Sequence, residues 1–108
     1  MALLEVKTWL TGSDEERIDS LKRFIEWLLS VNRGNIIRVC ARWYQRVQYE
    51  LGLLRLLNSE TASFHNYIAA LCDQLGIPYT RERGAKHTRI LISKPDLLKL
   101  LSHLSHAN

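Results

Sequence analysis

GNIIRVCARWYQRVQYELGLLRLL, residues 34–57, holds four arginines, one tryptophan and two tyrosines in a stretch whose apolar spacing predicts a helix from about Asn35 to Leu57. On a wheel at about 100° per residue, Ile36, Cys40, Trp43, Val47, Leu51 and Leu54 fall within one arc, the expected core face. Trp43 and Tyr44 are read as core and core edge. Nearly opposite lie Arg38, Arg42, Gln45, Arg46, Tyr49, Leu53 and Leu56. Like charges at i and i+4 repel by about 0.2 to 0.5 kcal/mol per exposed pair, and no acid lies between Arg33 and Arg46 to offset them. Something outside the helix must therefore neutralise the row. One solution is pairing with the acidic first helix through Glu15, Asp19 or Glu26. The other is a polyanion: the arginines follow phosphates while Tyr49, and Trp9 from an N-terminal strand, offer rings to unpaired bases. Leu53 and Leu56 continue this side as apolar residues, so it is partly covered, by a cleft floor or a second subunit. Glu50 is expected at the rim, paired with Arg46.

Working outward, ALLEVKTWL (residues 2–10) alternates Ala2, Leu4, Val6 and Leu10 against Glu5, Lys7 and Trp9, the period of a half-buried strand. Ser13 and Glu16 have capping-box spacing. They start an amphipathic helix over about 14–31 with Ile18, Leu21, Phe24, Ile25 and Leu28 inward. A third helix begins near Ser59, buries Phe64, Ile68, Leu71 and Leu75, and stops at Gly76 with Pro78 beyond it. YTRERGAKHTRILIS (79–93) predicts a hairpin around Gly84 with Ile90 and Ile92 inward and a basic tip of Arg81, Arg83, Lys86, His87 and Arg89. A basic edge also defends against unwanted strand pairing. Ser93, Pro95 and Asp96 announce a last helix with Leu97, Leu101 and Leu104 as its stripe.

The fold class expected is α+β and mainly helical: an N-terminal strand and a C-terminal β-hairpin packed with about four helices, as a single domain over residues 1–108. A chain of 108 residues with 46% hydrophobic content can bury a core without metal or disulfide. The net charge is +4. It is uneven: residues 1–30 hold four Lys/Arg against six Asp/Glu, and residues 31–108 hold eleven against five. Cys40 and Cys72 sit inside apolar patterns, and no leader or long apolar run accompanies them, so a reduced, cytoplasmic protein is expected.

Catalytic patterns are thin. The acids are scattered, no glycine-rich phosphate loop is present, and His103 and His106 lack further ligands nearby. His65 and Cys72 lie seven apart on the third helix, but Cys72 is flanked by leucines and reads as a small hydrophobe. Neither an enzyme nor a cofactor is expected.

SFHNYIAALCDQLGIPYTRERGAKHTRILIS resembles the recognition helix and wing of winged-helix DNA-binding proteins. That resemblance implies a duplex-DNA regulator reading with third-helix residues such as His65 and Asn66. With KPDLLKLLSHL added, the stretch also resembles one half of the LAGLIDADG homing endonucleases, whose acidic motif is absent here. The whole order, a strand, helices, an Arg/aromatic helix and a basic hairpin, is similar to the archaeal single-stranded DNA-binding proteins called ThermoDBP. This implies a single-strand-binding cleft outside the OB fold, with oligomerisation. The expected function is sequence-tolerant binding of single-stranded DNA or RNA through Arg38, Arg42, Arg46, Tyr49, Trp9, Tyr79, Arg81, Arg83, Lys86 and Arg89. The alternatives are a duplex-binding regulator and a protein-interaction subunit whose arginines meet acidic partners.

Overall fold

A computed structural model describes residues 13–55, 61–83 and 88–106. The expected N-terminal strand with Trp9 lies outside them, as does the hairpin tip with Lys86. Helix α1 spans Asp14–Val31. Ser13 Oγ accepts the Glu16 N–H at 3.2 Å, and the Glu16 carboxylate accepts the Ser13 N–H at 3.0 Å. These two bonds close the capping box, and hydrogen bonding from the Ser13 backbone N–H first and its side chain second holds the Glu16 carboxyl below its usual range. At the other end the Asn32 backbone and side-chain amides both donate to the Leu28 carbonyl. Leu21, Phe24, Ile25 and Leu28 are buried, as their spacing requires.

Residues 34–57 do not form one helix. They divide into strand β1, Ile36–Val39, and helix α2, Ala41–Val47. In Ile-Ile-Arg-Val three of four residues are β-branched, stiff at χ1 and well suited to a pleated surface. Their burial alternates: Ile37 and Val39 point inward while Ile36, expected in the core, is 57% exposed. Cys40 is extended, with φ −146° and ψ 155°, and marks the change of period. Beyond α2 the turns end at Gly52, whose φ of +64° favours glycine. There the Leu53 N–H donates to the Gln48 carbonyl at 2.7 Å and the Gly52 N–H to Tyr49 at 3.3 Å, a Schellman motif. Gly76 closes the third helix with the same pair of bonds, Ile77 to Cys72 and Gly76 to Asp73. Leu53, placed by the wheel on the arginine side, is buried.

Helix α3, Thr61–Leu75, buries Phe64, Tyr67, Ile68, Leu71 and Cys72, more than one stripe. Strands β2, Thr80–Arg83, and β3, Thr88–Ser93, form the hairpin, and helix α4, Lys94–Ser105, follows with Ser93 as its cap. The order in the antiparallel sheet is β1-β3-β2, with Ile37 opposite Ile92, Val39 opposite Ile90, and Arg81 opposite Ile90. Ile37, Val39, Ile90 and Ile92 give the sheet its inner face, against which α1, α3 and α4 pack. The chain is thus α+β and mainly helical, with a C-terminal hairpin in a three-stranded sheet.

One polar network crosses the core. Tyr44 OH donates to the Leu54 carbonyl at 2.6 Å, and the Leu54 N–H donates to Ser20 Oγ at 2.9 Å. The single Tyr44 proton is thereby used, so Ser20 Oγ donates to Tyr44 OH at 2.6 Å. The ring of three bonds staples the turn after α2 to α1. Burial pushes the Tyr44 hydroxyl up to about 12.

Candidate nucleic-acid interface

Side chains directly opposite across an antiparallel sheet share a face. Arg38 is opposite Leu91, which is opposite Thr80, and this row lies on the outer face, away from the isoleucines. Arg89 is two residues from Leu91 and therefore on the same outer face as Arg38. Its Nη1 reaches Glu82 Oε1, its cross-strand partner, at 3.2 Å. Arg38 is exposed and forms no ion pair among the described residues.

Cys40 ties this face to α2. It is the helix N-cap residue but makes no side-chain cap bond. The Ala41 N–H is satisfied from another element, donating to His65 Nε2 of α3 at 3.2 Å. His65 is therefore buried and turned inward, which removes it from any outward reading surface. Burial pushes the Cys40 thiol above its ordinary value, and the backbone amides of Trp43 and Arg42, then more weakly the Arg89 and Arg42 charges, pull it part of the way back. Cys40 and Cys72 are free thiols. Cys72 is raised to about 12, by burial first and by Asp73 and Asp96 second.

Arg42 and Arg46 are exposed on α2. The Arg46 guanidinium lies 5.4 Å from the centre of the Trp43 ring. Trp43, expected in the core, is 39% exposed. Tyr44 takes the interior position instead, with Phe24 at 5.1 Å and Phe64 at 5.5 Å between ring centres. Trp27 of α1 backs Trp43 at 6.1 Å, and Phe24 stacks behind Trp27 at 6.2 Å. Tyr49 is 72% exposed, with Arg55 over its ring at 5.9 Å. The expected ties to the acidic helix are not formed by Arg38 or Arg46, and Asp19 pairs with Arg23 of its own helix at 3.1 Å. Glu50 makes no pair with Arg46.

The remaining candidates face elsewhere. Arg81 and Arg83 lie opposite Ile90 and Thr88, on the other face of edge strand β2. Arg81 Nη1 donates to Asn66 Oδ1 of α3 at 3.3 Å, and Tyr79 OH donates to Asp73 Oδ2 at 3.1 Å. Burial and that carboxylate hold the Tyr79 hydroxyl above its ordinary value. The sequence-derived set is thus divided among three places: Arg38 and Arg89 on the outer sheet face, Arg42, Arg46 and Tyr49 exposed on α2 and the turn after it, and Tyr79, Arg81 and Arg83 on the side of α3.

Trp43 is the residue that sequence reasoning missed. Residues 36–40 are extended, so a helical wheel drawn through them sets the wrong phase at Trp43. The β-branched run before Cys40 was the available signal. Among the described residues no group of three or more His, Cys, Asp or Glu is placed to hold a metal ion, and no helix is long and apolar enough to cross a membrane. The chain matches no known protein-family model, and no curated protein or solved structure is significantly similar to it.

Proposed function

We propose that this protein binds single-stranded nucleic acid, with little sequence preference, on the surface made by the outer sheet face and α2. The observation that carries the reading is the shared outer sheet face of Arg38 on β1 and Arg89 on the hairpin, with the exposed Arg42 on α2, the helix that follows β1 directly after Cys40. Of these, Arg38 has no acidic partner among the described residues, which leaves it available to phosphate oxygens, and Arg89 can exchange the exposed Glu82 for a phosphate. Guanidinium groups bind phosphates bidentately, and neutralising phosphates releases condensed counterions. The exposed Tyr49 adds an aromatic surface of the kind that unpaired bases use. Arg81, Arg83 and Tyr79 lie on the far face and are not needed by a strand on this path. Two free buried thiols fit a reducing, cytoplasmic setting.

Fluorescence anisotropy with labelled oligo-dT and a duplex of equal length, over a salt series, tests the reading. Preference for oligo-dT with affinity falling steeply as salt rises is the expected result. Duplex preference would favour the regulator, and no binding to either at low salt would favour a protein partner.

A further inference from the structure

Trp43 has no structural need for exposure: α2 already buries Tyr44 and Val47, and a smaller apolar residue would cover Trp27. It is nevertheless held as a firm platform, backed by Trp27 and, behind that ring, Phe24 of the core. Arg46 lies over the ring and Arg42 precedes it in the helix. Arg55 over Tyr49 repeats the arrangement in the turn that follows. A guanidinium over an exposed ring is held less strongly than a stacked nucleobase, so it is a displaceable cover that becomes a phosphate or base-edge ligand once displaced.

Resting on the single-strand reading above, we infer that Trp43 is the principal base-stacking residue of the site: an unpaired nucleobase packs on its indole, Arg46 moves aside to the adjoining phosphate, and the Tyr49–Arg55 pair takes a second base. The recognised chemistry is a flat heteroaromatic ring attached to a phosphodiester chain. Because the indole already packs on Trp27, which stacks on the buried Phe24, little ordering cost accompanies stacking.

The test compares oligo-dT with an abasic oligomer of the same length and charge, for the wild-type protein and for Trp43→Leu, which preserves apolar cover over Trp27. Trp43→Phe serves as the conservative variant, and circular dichroism checks that each variant is folded. The expected result is wild-type binding about tenfold or more tighter to oligo-dT than to the abasic chain. Trp43→Leu should lose most of that difference with an unchanged salt slope, and Trp43→Phe should keep most of it. Equal wild-type affinity for both oligomers would overturn the stacking inference while leaving phosphate binding intact. A base-dependent difference that survives in Trp43→Leu would also overturn it, by placing the stacking residue elsewhere. Binding to neither oligomer at low salt would remove the single-strand reading itself.

Discussion

The two faces of the sheet are built from alternate residues of the same strands and do opposite work. Inward, Ile37 meets Ile92 and Val39 meets Ile90, and all four are buried. Outward, Arg38 meets Leu91 and Arg89 meets Glu82, with Ile36 exposed at the end of β1. The inner rows gain free energy by leaving water. The outer rows gain little from one another: an exposed pair such as Arg89–Glu82 contributes from near zero to about 1 kcal/mol. One side of the strand therefore stabilises the fold, and the other leaves charge without sufficient internal use.

The contrast predicts which perturbations unfold the protein and which leave it folded. The largest effect should come from alkali acting on the core. The folded-state values of Tyr44 and Cys72 are both raised, from ordinary values of 10.0 and 9.0 to about 12. Each contributes stability that is complete below its ordinary value and is lost as pH rises through the folded value. The melting temperature should hold up to about pH 9 and then fall steeply toward pH 12. A flat profile over that window would mean that neither group is buried as described.

Ile37→Ala should cost about 2 to 5 kcal/mol in urea unfolding, through lost burial and the cavity left between β1 and the helices. Tyr44→Phe should cost about 1 to 3 kcal/mol, because the Leu54 carbonyl loses its donor and Ser20 its acceptor. Ser20→Ala should couple with it, so the double variant costs less than the sum of the two. Smallest of all, Arg38→Ala, one residue from Ile37, should change stability by no more than about 0.5 kcal/mol. Its effect belongs to oligonucleotide affinity instead. If Arg38→Ala destabilised the fold as much as Ile37→Ala, the separation of the two faces would be wrong.

Where chemistry was local, the sequence sufficed. Ser13 with Glu16, Gly76 before Pro78, and Ser93 before Pro95 and Asp96 each satisfy or terminate backbone bonds within a few residues, and α1, α3 and α4 begin or end as those signals require. The hairpin followed from the same kind of reading. The 34–57 segment failed because its period changes in the middle. A wheel drawn over both halves assigns Ile36 to the core and Trp43 with it, although neither is buried. Two features would have corrected it: the β-branched run at 36–39 and Gly52 as a second stop. No local pattern identifies the partner of the Ala41 N–H, because His65 is supplied from 24 residues away. The split of the basic residues between two faces was equally hidden, since it depends on the register of β2 against β3.

The slope of log Kd against log salt for oligo-dT, measured for the wild type and for the Arg38→Ala/Arg42→Ala/Arg89→Ala variant, tests the central claim most directly. If these three side chains neutralise phosphates together, the variant's slope should be shallower by about two units, near 0.7 for each single-strand contact removed, with its fold intact. A variant that binds with the wild-type slope would contradict the account.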